Sequence, residues 1–245
     1  MLNTLKILIV LFQVHLKMTI SHAKVNTQKG LIFSFPVLRS FMALLMMALS
    51  ATPAMAEEWA FDVFLDKSKI GKHTFTLDQN RVLTSRAKFN VKVLFIEAYN
   101  YDHTTKEQWK DDCLATLEAN TTENKVVSNI KGIKKDASFE VADGKTTQTL
   151  PACTMTFAYW NPKILSQSKL LNPQNAEYLD TKFEKLGQEI ITVKGQPVEA
   201  THYKLKGSLS GKNKLNIELW YNEKNEWVAL KSITPEGYII NYKLI

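Results

Sequence analysis

The sequence predicts a mainly β protein: a strongly bent antiparallel sheet or open barrel, with one or two short helices against its concave side. Three observations carry this reading. Apolar residues alternate with polar ones through most of the chain after residue 56, turn residues recur at short intervals, and helix-start signals are sparse.

Taken in order, "WAFDVFLD" sets Trp59, Phe61, Val63 and Leu65 on one face. After a turn around "KSKIGK", "HTFTL" carries Phe75 and Leu77 and pairs with it as a hairpin. "LTSRAKFNVKVLFIEAYNYDH" keeps Leu83, Ser85, Ala87, Phe89, Val91 and Val93 in phase; the phase breaks near Leu94-Phe95, as at a bulge or strand end. Further strands are expected in "CLATLEANTT", "KVVSNIKGI", "ASFEVA", "TTQTL", "CTMTFAYW", "AEYLDTKFEKL", "QEIITVK", "VEATHYKLKG", "KLNIELWYN", "WVALKSITP" and "YIINYKLI". Turn chemistry separates several of them, at Asp143-Gly144, Lys194-Gly195, Ser210-Gly211 and Asn222 to Asn225; the break at Glu123-Asn124 has neither Gly nor Pro. One helix is expected over 161–171. Asn161 caps it, Pro162 suits its first position, Ile164, Leu165, Ser168 and Leu171 share a face, and Asn172-Pro173 stops it. "TTKEQWKDD" is either a second short helix or a continuation of the strand before it.

Residues 1–56 differ from the rest, with five basic residues and no Asp or Glu. "SFMALLMMALS" has the length of a signal-peptide apolar region, follows Arg39, and precedes the small residues Ala54 and Ala56. The expectation is an export leader cut after Ala56, with residues 1–17 a start-site misassignment and Met18 the start. The apolar stretch between Arg39 and Pro53 is too short for a membrane span of roughly 20 residues. No cysteine near the cut could carry a lipid. The mature chain is then one domain, 57–245, exported, soluble and periplasmic.

Removing the leader's five basic residues from the chain's 31 leaves 26 Lys+Arg against 24 Asp+Glu, so the net charge falls from +7 to about +2. With no basic block left, nucleic acid is excluded as a natural partner. The two cysteines, Cys113 and Cys153, both fall in the mature part and are expected to pair in an oxidising compartment. Two cysteines this far apart make no zinc signature, and no metal or cofactor is expected.

"FLDKSKIGKHTF", "YNYDHTTKEQWKDDCL", "FAYWNPKILSQSKLLN" and "LWYNEKNEWVALKS" resemble an uncharacterised family of exported bacterial proteins, a domain of unknown function, over nearly the whole mature chain. The resemblance implies a periplasmic location and no established activity. The layout is also distantly similar, at the level of fold, to periplasmic lipoprotein-carrier half-barrels, in which a curved sheet holds acyl chains.

No nucleophile elbow, H-E-x-x-H or phosphate loop is present. Of three mature histidines, His103 lies four residues before Glu107 with Asp102, Asp111 and Asp112 nearby, a spacing that suits a metal or acid/base pair on either a helix or a strand. The favoured reading is instead a solvated polar edge in which Glu107 pairs with a lysine. The aromatic load points to binding without catalysis of an apolar or amphipathic, lipid-like envelope molecule. Its candidate contacts are Phe157, Tyr159 and Trp160 with Ile164, Leu165 and Leu171 of the expected helix. An envelope interaction or assembly factor, with a protein partner, is the second reading. A hydrolase-type enzyme using a polar cleft at His103 and Glu107 is the third.

Overall fold

The alternation written into the sequence becomes one sheet. The computed structural model describes residues 56–93, 96–234 and 236–245. The expected leader lies outside them, except for Ala56. The strands in chain order are β1 (Glu57–Leu65), β2 (Ser68–Leu77), β3 (Val82–Val93), β4 (Ile96–Lys110), β5 (Cys113–Glu123), β6 (Val126–Lys134), β7 (Ser138–Ala142), β8 (Thr147–Pro151), β9 (Lys169–Leu171), β10 (Tyr178–Val193), β11 (Gln196–Leu209), β12 (Lys212–Asn222), β13 (Trp227–Ile233) and β14 (Ile239–Leu244). Two antiparallel meanders meet at the chain ends: β1 to β8 run outward from β1, and β9 to β14 run back until β14 pairs with β1. The outer strands β8 and β9 are not paired with each other, so the sheet is not closed into a barrel. Among the described residues no helix is long and apolar enough to cross a membrane.

The two free edges are joined by the chain itself. Residues 152–168 pass between them, and on the way Leu114 N donates to Thr154 O at 3.0 Å and Leu171 N donates to Met155 O at 2.8 Å. "CTMTFAYW", expected as a strand, is this crossing segment; its sheet-like contact is a parallel bridge between Thr156 and Leu171. The helix expected over 161–171 is also corrected. Only Pro162–Ser166 turns, as a 3-10 helix capped by Asn161, whose side chain accepts from Lys163 N. Five residues are too few to offset the cost of nucleating an α-helix. Leu170 and Leu171 gain more by joining β9, where they pair with Leu179 and Tyr178 and become fully buried.

The crossing segment is anchored to the β4–β5 turn. Cys113 and Cys153 form a disulfide. Asn161 Nδ2 donates to Asp112 Oδ1 at 3.1 Å, and Lys163 Nζ meets Asp112 Oδ2 at 2.7 Å. Those two hydrogen bonds, Lys163 first, hold the Asp112 carboxyl below the usual range.

"TTKEQWKDD" continues β4 as a strand, the second of its two expected forms. The phase break at Leu94-Phe95 falls outside the described residues; β3 ends at Val93, β4 begins at Ile96, and the register shifts between Val91 and Lys92. The glycine-free break after Glu123 is a two-residue hairpin turn with Asn124 at φ 46° and Lys125 at φ 74°. Left-handed backbone at both positions matches the twist of the flanking strands. Asn124 ties the turn to β4, since its Oδ1 accepts from Asn100 N.

The inner face is filled at the end near the β4–β5 turn. Phe61 packs on Trp227 with ring centroids 4.3 Å apart, Phe75 meets Trp227 edge-on at 5.2 Å, and Trp109 meets Trp160 edge-on at 5.5 Å. Phe61, Leu114, Leu117, Phe139, Ile164, Leu171 and Leu179 have no exposed surface. Rings of this size carry much of the burial energy of a β domain. They form a solid floor.

Candidate functional site

Above that floor the inner face is hollow. A cavity of about 710 Å³ reaches from Trp160 and Ala158 of the crossing segment to Leu65, Ile70 and Val91 at the opposite end. There Glu236 and Tyr238 line it and are themselves exposed, so it opens to solvent.

Its wall has two chemical zones, both set by the period of two along β2, β3 and β4. In β4 the inward positions are Tyr101, His103, Thr105, Glu107 and Trp109, all buried. Opposite them in β3 stand Phe89, Ala87, Ser85 and Leu83. The aromatic zone lies nearer the opening: Phe89 stacks on Tyr101 at 5.3 Å with planes 10° apart, and Tyr99 continues the row 6.4 Å from Tyr101. Burial pushes the phenols of Tyr99, Tyr101 and Tyr242 above their usual range, so all three stay uncharged.

The polar zone lies between the aromatic row and the floor. His73 shares hydrogen bonds with Ser85 Oγ (Nε2, 2.7 Å) and Tyr242 Oη (Nδ1, 3.3 Å), while its ring stacks on Phe75 at 4.0 Å. His103 shares hydrogen bonds with Thr121 Oγ1 at 2.8 Å and Thr105 Oγ1 at 2.7 Å. Burial disfavours the imidazolium form of both, pushing His73 down to about 3 and His103 to about 4. Glu107 Oε2 accepts from Trp109 Nε1 at 3.1 Å and Thr156 Oγ1 at 3.2 Å. Burial outweighs these two bonds and pushes its carboxyl up to about 7.

The solvated edge expected at His103 and Glu107 is therefore corrected. Both are 3% exposed, and Glu107 pairs with an indole and a hydroxyl, not with a lysine. The side chains do share a face, as a strand requires. Four residues at about 3.3 Å each put them roughly 13 Å apart along β4, too far for a proton-sharing pair or a common metal.

Of the residues singled out from the sequence, Phe157, Tyr159 and Trp160 line the cavity. Ile164, Leu165 and Leu171 do not: Ile164 and Leu171 are sealed in the core, and Leu165 packs against it. The reason is the missing helix, without which no apolar helical face covers the sheet. His73, Ser85, Phe89 and Tyr242 also line the cavity, beyond the candidate contacts expected from the sequence. Their signal was present, because His73 and Ser85 sit in the same alternation as Phe75, Leu77, Leu83 and Ala87. Polar residues in a buried phase face the inside of something.

Among the curated proteins none matches the chain. Among solved structures, it is similar to a β-barrel-like protein of the domain of unknown function DUF1849 from Brucella abortus. The match has a TM-score of 0.58 and 12% identity over 78% of this chain and 95% of that one. At this identity the likeness is one of fold. A DUF1329 family protein from Desulfovibrio piger aligns over 86% of this chain and 92% of its own at 10% identity, but with a TM-score of 0.17 it carries no argument. Residues 61–245 match the domain of unknown function DUF6134, and the chain belongs to that family.

Proposed function

We propose that the domain over 57–245 is exported to the envelope and there binds an apolar or amphipathic molecule without changing it chemically. The observation that carries this reading is the hollow inner face. Protein interiors are close-packed, with few voids larger than a water molecule, whereas a cavity of about 710 Å³ open at one end is of the size that takes a small ligand.

The polar groups on the wall favour binding over catalysis. Each histidine is engaged by hydroxyls on both ring nitrogens, and Glu107 is engaged by Trp109 and Thr156. Among the described residues, neither wall histidine has a carboxylate hydrogen-bonded behind it, the group that orients and stabilises the imidazolium in Ser-His-Asp hydrolysis.

The test is to purify the protein from the envelope, confirm by terminal sequencing that it begins at Glu57, and extract it into organic solvent. Mass spectrometry is expected to find a lipid-like species in stoichiometric amount. An extract with no such species, from protein that also takes up no apolar dye, would sink the reading. Stoichiometric co-purification of an envelope protein in its place would favour an assembly factor.

A further inference from the structure

We propose that the cavity selects an uncharged amphiphile, an apolar chain or ring bearing a hydroxyl or carbonyl oxygen, over a fatty acid, a phosphate-bearing lipid or a cationic amphiphile. This rests on the binding role proposed above and names the class of ligand.

The argument starts from the charges on the wall. An anion taken out of water needs a cation or several N–H donors to replace its hydration. Among the described residues that line the cavity, the carboxyl and imidazole groups are those of Glu107, Glu123, Glu236, His73 and His103, and none is Lys or Arg. None of the three acids gives an anion a compensating positive charge. Burial keeps the two histidines neutral, so neither supplies one.

A cation fares no better where it would have to sit. Glu123 and Glu236 lie exposed at the opening, where water and salt screen them. The deep acid, Glu107, sits in surroundings that favour its neutral form. A quaternary ammonium also has no oxygen to offer a donor.

A donor is waiting. Trp160 lines the cavity and is 8% exposed, and its indole N–H is buried without a hydrogen-bond partner among the described residues. An indole nitrogen can only donate, so what satisfies it is an oxygen acceptor. The hydroxyls of Ser85, Thr105 and Thr156 add groups that donate or accept without charge. The flat row of Phe89, Tyr101 and Tyr99 gives the apolar part of such a molecule a surface to lie on.

The experiment displaces an uncharged fluorophore, Nile red, from the delipidated protein with dodecanol, monododecanoylglycerol, dodecanoate, dodecyl phosphate and dodecyltrimethylammonium. It is run at about pH 6, where dodecanoate is ionised while the buried Glu107, pushed up to about 7, keeps its proton, and below micelle-forming concentrations. The two uncharged compounds are expected to bind at least about tenfold more tightly than any charged one. Equal or tighter binding of dodecanoate, dodecyl phosphate or dodecyltrimethylammonium overturns the selectivity while leaving the binding role standing. Failure of every compound, and of Nile red itself, overturns the binding role and this inference with it.

Discussion

Replacing Glu107 with glutamine separates charge from shape at the most deeply buried acid of the cavity. Glu107 is 3% exposed, and a single oxygen, Oε2, accepts from Trp109 Nε1 at 3.1 Å and Thr156 Oγ1 at 3.2 Å. The amide oxygen of glutamine can take the same place and accept both bonds, so the substitution removes the ionisation and little else. In the folded protein burial holds the carboxyl at about 7; in the unfolded chain it titrates near 4.3. Because the folded value is the higher one, the native state keeps a proton that the unfolded state releases. Wild-type stability therefore falls as pH rises through this window, and the cost is complete above about pH 7. Each pH unit of the window is worth about 1.4 kcal/mol, which puts the full cost at roughly 4 kcal/mol, of which roughly 3 kcal/mol falls between about pH 4.5 and 8. His73 and His103, both held below their usual value, act in the opposite direction, costing stability as pH falls below about 6.5. They are present in both proteins and cancel in the difference. Urea unfolding from about pH 4.5 to 8 is expected to find Glu107→Gln and wild type equal at the acid end. At the alkaline end the variant should be ahead by roughly 3 kcal/mol, or about 6–12 °C in Tm. A difference that does not change with pH, or a variant less stable at the alkaline end, would refute the idea that desolvation governs this group.

Three further outcomes follow from the backbone and the disulfide. Lys125→Gly should raise stability by about 0.5–1 kcal/mol, since Lys125 holds a left-handed φ of 74° that glycine adopts without a Cβ clash; a lower urea midpoint would count against the turn geometry. Gly71→Ala should cost roughly 1–3 kcal/mol in the same assay. A Cβ at Gly71 would fall 1.9 Å from the backbone oxygen of Lys88, so β2 and β3 must part to admit it. A variant as stable as wild type would show that the strands do not approach so closely. Replacing Cys113 and Cys153 together with serine frees a loop of 40 residues and should lower stability by about 4 kcal/mol. The loss should be smaller if Asp112, Asn161 and Lys163 still hold the crossing segment, and no loss at all in a thermal melt would mean that these polar contacts suffice.

Which face of each strand turns inward was legible in the residues alone. Phe61 with Val63, Phe75 with Leu77, and Leu83 with Ser85 and Ala87 declared which face of each strand turns inward, because side chains alternate with a strict period of two. The pairing of Cys113 with Cys153 was legible from cysteine count and compartment. The tertiary structure alone decided what lies across the sheet. "FAYWNPKILSQSKLL" carries the local signals of a strand and a helix, yet its aromatic half forms no strand and its helix shrinks to the 3-10 turn Pro162–Ser166 before β9. Its backbone oxygens are taken by groups outside it: Tyr159 O accepts from Tyr221 Oη and Ser168 O from Thr181 N. Likewise nothing local distinguishes a histidine and a glutamate on the wet edge of a strand from the same pair facing a closed interior. His103 and Glu107 are inside because β1 to β5 curl around them and Thr156 arrives from the crossing segment. Hydrogen-bond partners for a buried acid, and the space left over beside it, are properties of that long-range closure, which no window of the sequence contains.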